Sequence, residues 1–297
     1  MRMMYYDIKT IHRIREQFLI IGAHDIEEIR QKRIFRDRFV EVSMDALSCL
    51  QYFPNIEYLI LTSGLLNTED LLFLSNINIR GLKIDYYSYE IDAMTIDLSL
   101  FPAVEVLFAR TQYCFKNIAM CHSLKTLIVQ EWLTSDLDYL SDSSIMALKL
   151  LNGKLQSLYG IERMPKLISL SLSNQRQLSD CTHLRQNQLE SIELISCNKV
   201  DISCLPMLPD VRLAHLSGKK SIPDVNAILD HIPKLEWLWL DHKVESGDLS
   251  PLEKMRHAVI FVDCRHYSHK DQDLPKAWRE YNSSYLPTML EILPEAF

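Results

Sequence analysis

The strongest constraint on the fold is a short apolar pattern, L-x-x-L-x-L, that recurs along most of the chain. Successive copies start 20 to 25 residues apart. The nine copies begin at Ile56, Ile79, Val104, Leu124, Ile145, Leu167, Leu189, Val211 and Leu235. Regular recurrence at one period indicates a repeat protein in which every repeat adds one structural unit to a shared core.

Within each copy the apolar positions follow the two-residue period of a strand. In the last copy Leu238 and Leu240 therefore point to one face, and Trp237 and Trp239 point to the other. The remainder of each repeat must return the chain to the start of a neighbouring parallel strand. Because one repeat cannot bury its apolar face alone, the pattern predicts a parallel sheet over one continuous core.

From about residue 37 to residue 266 the chain resembles the leucine-rich-repeat proteins, whose unit is L-x-x-L-x-L followed by an Asn or Cys. The resemblance implies an α/β repeat fold, a solenoid with a parallel sheet on its concave face and a cap at each end. At the Asn or Cys position only Cys197 fits the family. The other copies have Gly64, Tyr87, Gln112, Trp132, Gly153, Gln175, Lys219 and Lys243 there. The repeats are therefore irregular. Prolines recur shortly before the strands, at Pro54, Pro165, Pro209 and Pro233, which is a feature of bacterial cytosolic and internalin-like repeats.

The ends of the repeat array need caps, because an open end exposes core and sheet edge together. We predict an N-terminal cap with a partial repeat, then the repeats, then a C-terminal cap, at residues 1–55, 56–266 and 267–297. Strands are expected at 18–21 and 39–42, helical segments at 25–38 and 45–52, and a tenth repeat strand at 259–264.

Composition and charge narrow the class of protein. The chain is 47% hydrophobic and 24% charged, which is typical of a globular protein. Its net charge is -7 and no run of Lys or Arg reaches five residues, so nucleic acid is not an expected partner. Charged residues interrupt any secretory signal, and the apolar run at 18–23 is too short to span a bilayer. We expect a cytoplasmic protein that is monomeric when unbound and has no membrane partner.

The sequence favours a non-enzymatic protein without a cofactor. Seven cysteines lack any pairing that indicates disulfides or a zinc site, and phosphate-loop, dinucleotide, nucleophile-elbow and zinc-protease motifs are missing. The alternative is an effector or enzyme that uses the segment from Cys264 to His269. There Cys264, His266 and His269 could ligate a metal, with Asp263 or His242 as a fourth ligand, or form a thiol nucleophile with a histidine base. The simpler interpretation is a strand end that runs into a polar cap.

The two tryptophans of the last copy are the best indication of a binding surface. Indole rings on the open sheet face are disfavoured unless something covers them, and Trp is among the commonest hot-spot residues. Repeat spacing puts further candidates beside them. The predicted partner-binding residues are Trp237, Trp239, Asp241, His215, Leu213, Glu193, Phe261, Asp263 and Arg265. The alternative is that the C-terminal segment folds back over the rings.

Two further features of the same face bear on the partner. Ser169, Ser171 and Ser173 predict a trough of small side chains that a partner backbone could approach closely. Glu190, Glu193, Glu236 and Asp241 make the C-terminal half acidic, so a basic partner is expected.

We interpret the chain as a protein-protein interaction module that binds one partner through its concave face. The more specific hypothesis is a bacterial immunity protein that neutralises a toxin domain. It is based on a lone recognition solenoid, an acidic balance, no export signal and irregular repeats. This step is an analogy, because one fold hosts many functions, and a general scaffold or adaptor is the alternative.

Overall fold

The computed structural model describes residues 19–21, 39–42, 47–48, 50–51, 55–61, 68–84, 95–186 and 188–275. The chain divides into two compact units, one up to Leu127 and one that starts at Ile128. The predicted helix at 25–38 and the larger part of the predicted C-terminal cap, 276–297, lie outside the described residues. The division into two caps and a repeat region stays a prediction.

The first unit contains parallel strands in sequence order. The neighbours are β1 (Leu19–Ile21), β2 (Phe39–Val42), β3 (Tyr58–Leu61), β4 (Gly81–Ile84) and β6 (Val106–Thr111). The two-residue strands β5 (Ile96–Asp97) and β7 (Phe115–Lys116) form a second, small parallel ladder. Helix α1 (Thr68–Ser75) lies between β3 and β4 in the chain, and 3-10 turns occupy Leu98–Leu100, Gln112–Cys114 and Ile118–Met120.

The second unit begins within β8 (Thr126–Trp132) and repeats one design. Its further strands, parallel and in sequence order, are β9 (Ala147–Gly153), β10 (Ser169–Ser173), β11 (Ser191–Ile195), β12 (Leu213–Ser217), β13 (Trp237–Asp241) and β14 (Val259–Val262). The chain returns through 3-10 turns at Asp138–Leu140, Ile161–Arg163, Thr182–Gln186 and Ile202–Cys204, and through one-turn helices α2 (Asn226–Leu229) and α3 (Ser250–Glu253). Two 3-10 turns, Cys264–His266 and Asp271–Asp273, follow β14.

The predicted strands are confirmed. Every copy of the apolar pattern contains a strand that starts two residues after its first apolar position, and the tenth strand follows as β14. The inward positions align across neighbours, as in Leu194, Leu216 and Leu240, and these side chains are buried. Parallel strands with inward leucines and short returns are the leucine-rich-repeat solenoid fold. No helix in the described ranges is long and apolar enough to cross a membrane.

Four of the positions that hold Asn in regular repeats are buried, although their residues differ: Gln112, Trp132, Gln175 and Cys197. The same position is exposed at Lys219 and Lys243. Trp132 is fully buried and its indole N–H donates to the carbonyl of Asp136 at 2.9 Å. The Cys197 thiol donates to the carbonyl of Leu172 at 3.5 Å, and burial raises its pKa to about 11. Gln175 is also fully buried, and its amide nitrogen lies 3.4 Å from the carbonyl oxygen of Ser173. The turns therefore obtain side-chain donors from residues other than Asn.

Gly153 leaves no room for a side chain between two of these buried residues. A Cβ atom at this position would lie 2.2 Å from the carbonyl oxygen of Trp132 and 2.8 Å from Oε1 of Gln175. The nearer atom belongs to the backbone and cannot rotate away. This close approach explains why the copy at β9 has a glycine.

We therefore expect Gly153→Ala to lower the free energy of unfolding by at least about 2 kcal/mol, because the added methyl group forces the backbone apart. Urea unfolding followed by circular dichroism measures this change. The matched control is Lys154→Ala at the exposed neighbouring position, for which a change within about 0.5 kcal/mol is expected. Equal midpoints for the two variants would contradict the packing described here.

Candidate protein-binding surface

Four ring side chains meet on the open face of β12, β13 and β14. The strand register places His215 beside Trp239 and Trp239 beside Phe261, while Trp237 lies in the adjacent row. Because Leu238 and Leu240 point into the core, these rings lie on the opposite face of the sheet. All four rings are half-buried. We call His215, Trp237, Trp239 and Phe261 the aromatic patch.

The rings of the aromatic patch hold one another in place. Trp239 is stacked on Phe261 with ring centroids 5.3 Å apart, and His215 lies 5.4 Å from Trp239 on the other side. Trp237 is tilted against Phe261 at 5.9 Å and meets His215 edge-on at 6.3 Å. Aromatic pairs in such arrangements contribute about 0.5–1.5 kcal/mol each. The patch is therefore a preorganised surface.

The indole nitrogens of the patch have unused hydrogen-bonding capacity. Within the described ranges neither Trp237 nor Trp239 donates its N–H to a protein acceptor, whereas the buried Trp132 does. A surface that covers these two rings must supply acceptors, since a buried donor without a partner costs about 1–3 kcal/mol. The patch thus combines apolar area with two directional donors.

Two carboxylates border the patch. Glu193 lies directly across from His215 in the strand register, and its Oε2 accepts a 2.6 Å hydrogen bond from the hydroxyl of Ser171. Asp241 is exposed at the end of β13, where the Ser217 hydroxyl lies 3.3 Å from its Oδ2. Burial lowers the pKa of His215, and the two carboxylates only partly oppose this effect. The imidazole is therefore neutral at neutral pH and adds no positive charge beside the two carboxylates.

The remaining predicted residues lie at the margin of the patch. Leu213 is half-buried next to Trp237 in the register. The Asp263 carboxylate accepts hydrogen bonds from the backbone N–H and the guanidinium of Arg265. These bonds lower the pKa of Asp263 to about 2. Asp263 and Arg265 are both exposed, but their charges largely neutralise each other.

The predicted serine trough is not open, and that expectation was wrong. Ser169 and Ser171 have no exposed surface, and only Ser173 is half-buried. The physical reason at Ser171 is its hydrogen bond to Glu193, whose longer side chain crosses from the neighbouring strand. A partner backbone therefore has no access to these two serines.

The segment from Cys264 to His269 is held by ordinary structural contacts. The Cys264 thiol donates to the carbonyl of Val262 at 3.5 Å, and Nε2 of His269 lies 3.5 Å from Oε1 of Glu253. The hydroxyl of Tyr267 accepts a 2.8 Å hydrogen bond from the backbone N–H of Val244. No group of three His, Cys, Asp or Glu side chains suited to a metal ion occurs among the residues that the structure describes. The geometry favours a strand end that runs into a polar turn.

A buried histidine follows the two tryptophans of the patch in the chain, and the sequence suggested it only as a possible fourth metal ligand. His242 is only 5% exposed, and its Nδ1 lies 2.7 Å from the carbonyl oxygen of Lys220. Its ring fills the space over Gly218, where a Cβ atom would approach Cε1 to 2.8 Å. Every second residue of a strand shares one face, so the alternation of Leu238, Leu240 and His242 indicates that His242 faces the core.

Burial lowers the pKa of His242, as it does for His215. Below about pH 6.5 a histidine in the unfolded chain binds a proton that the buried imidazole does not bind. The free energy of unfolding is therefore highest above that pH, and it decreases as the pH falls towards the pKa of the folded state. The urea concentration at the midpoint of unfolding should decrease as the pH is lowered from about 7.5 to about 5.5. We expect His242→Gln to flatten this dependence, while the same change at the exposed His257 leaves the slope unaltered. A slope unaffected by His242→Gln would contradict the assignment.

The fold and the patch together define a protein with the leucine-rich-repeat solenoid fold and an aromatic surface on its sheet. No protein-family model matches the chain, and no curated protein matches it. Among solved structures, an internalin (inlF) from Listeria monocytogenes is 13% identical over 76% of this chain and 68% of its own, with a TM-score of 0.43. Internalin C2 from the same organism is 20% identical over 50% of this chain and 65% of its own, with a TM-score of 0.37.

A third similar structure is TLR13 in complex with ssRNA13. It is 12% identical over 82% of this chain and 46% of its own, with a TM-score of 0.42. This chain thus spans less than two thirds of the lengths of internalin C2 and TLR13. At these levels of similarity none of the three structures carries an argument about what this chain binds.

Proposed function

We propose that this chain is a protein-protein interaction module that binds one protein partner at the aromatic patch. The observation that carries the proposal is the group of four mutually packed, half-exposed rings. Rigid aromatic side chains lose little conformational entropy on binding, and Trp is enriched among hot-spot residues. The free indole donors add directional contacts to the apolar ones.

The proposed partner is basic, and the proposed role is that of a cytoplasmic bacterial immunity protein that neutralises a toxin domain. The net charge of -7 and the carboxylates of Glu193 and Asp241 support a basic partner. The immunity role itself rests on analogy.

We expect Trp237→Ala and Trp239→Ala each to weaken the complex with the native partner by about 2 kcal/mol or more, because each removes a central ring of the patch. The partner is obtained by affinity capture from the native host, and its dissociation constant is measured by calorimetry. The matched control is Tyr159→Ala, an exposed aromatic residue in a return segment, which should leave the affinity unchanged.

Urea unfolding of the same variants separates loss of binding from loss of fold. Unchanged affinity in both tryptophan variants would exclude the patch as the binding surface, and unfolding of both would show that the rings serve the core. The immunity role further requires that the captured partner arrests growth when expressed alone. Coexpression of this chain, but not of its Trp239→Ala variant, should restore growth.

A further inference from the structure

We propose that the partner inserts an arginine at the aromatic patch, with its guanidinium above His215 between Glu193 and Asp241 and its aliphatic stem against the tryptophan rings. This inference rests on the proposed function and specifies the chemistry of its contact. It commits the surface to one occupant, a protein segment that presents an arginine.

The acidic residues of the second unit differ in whether a basic side chain of this chain pairs with them. Several of them form an ion pair with a lysine or arginine of this chain. Glu236 pairs with Arg212 at 2.6 Å, Asp210 pairs with Lys234 at 2.7 Å, and Asp263 pairs with Arg265. Within the described ranges Glu193 and Asp241 form no such ion pair. Other carboxylates of this unit, such as Glu190 and Asp224, also form no such ion pair in the described residues, but Glu193 and Asp241 are the ones that border the rings.

The two carboxylates lie on either side of β12. Glu193 on β11 is across from His215, and Asp241 on β13 is across from Ser217, two residues further along the strand. Both act electrostatically on the imidazole of His215. Two strand spacings and two residues along the strand put the two backbone positions roughly 12 Å apart, a distance that a Glu and an Asp side chain can bridge around one cation. A group placed above His215 therefore experiences both charges.

A partner that covers the patch removes water from the two carboxylates. Removing a carboxylate from water without a counter-charge is strongly unfavourable. Neutral His215 does not supply that charge. The guanidinium of Arg265 acts electrostatically on Asp241, but its hydrogen bonds go to Asp263. We therefore expect the compensating cation to come from the partner.

Arginine fits this surface better than lysine does. Its guanidinium is planar, carries five donors that can serve two carboxylates, and is less strongly hydrated than an ammonium group. Trp237 meets its ring neighbours at interplanar angles of 54° and 71°, so neither is stacked on it in parallel. The open face of Trp237 can therefore pack against the aliphatic stem of the arginine.

The test uses the full-length protein and three blocked tripeptides, Gly-X-Gly, in which X is arginine, lysine or citrulline. Citrulline has the shape of arginine without its charge. The readout is the indole N–H resonances of Trp237 and Trp239, assigned with the Trp237→Phe and Trp239→Phe variants. We expect the arginine peptide to shift both resonances saturably with a millimolar dissociation constant, and the other two peptides to bind at least about tenfold more weakly.

The isosteric variants Glu193→Gln and Asp241→Asn should each weaken binding of the arginine peptide at least about fivefold. Asp210→Asn is the matched control, because that carboxylate already has its own lysine, and it should leave the titration unchanged. Equal binding of the citrulline or lysine peptide, or no shift with the arginine peptide at about 100 mM, would overturn the proposal.

The native partner distinguishes this inference from the function on which it rests. If the tryptophan variants weaken the native complex while Glu193→Gln and Asp241→Asn do not, the arginine contact is wrong and the interaction module stands. If none of the four variants changes the affinity, both proposals fail.

Discussion

Parallel pairing of the strands in register is the interaction on which the rest of the structure depends. No single repeat has enough apolar surface to fold alone, so the leucines of neighbouring repeats must lie side by side. Register then places equivalent residues of successive repeats about 4.8 Å apart on both faces of the sheet. The same pairing that aligns Leu216 with Leu240 in the core brings His215 against Trp239 on the open face. The aromatic patch is thus a direct result of how the core is built.

The repeat pattern was sufficient to predict the strands and the side of the sheet on which each side chain lies. Trp237 and Trp239 are outward because their neighbours Leu238 and Leu240 are buried, and a two-residue period allows no other arrangement. The order of neighbouring strands also followed, since sequential repeats stack. The sequence therefore indicated which candidate residues would share a face.

Contacts within that face could not be predicted, because they depend on side-chain rotamers and on residues 22 to 24 positions away, as in Ser171 with Glu193 and Arg212 with Glu236. The serines were expected to be open because they are small, but a small side chain is easily covered by a longer neighbour. The contacts at the position that regular repeats reserve for Asn could not be predicted either. Trp132 and Cys197 donate to backbone carbonyls there by different means, whereas Gly153 has no side chain at all.

The row that crosses the open face takes a single residue from each repeat. From β9 to β14 it consists of Lys149, Ser171, Glu193, His215, Trp239 and Phe261. Each of these positions is encoded separately and lies on the side of the strand opposite the leucines. One codon change can therefore alter what the surface recognises while the core stays the same. Such an arrangement lets a lineage diverge in recognition gradually, repeat by repeat, and duplication of a repeat would lengthen the surface by one residue per row.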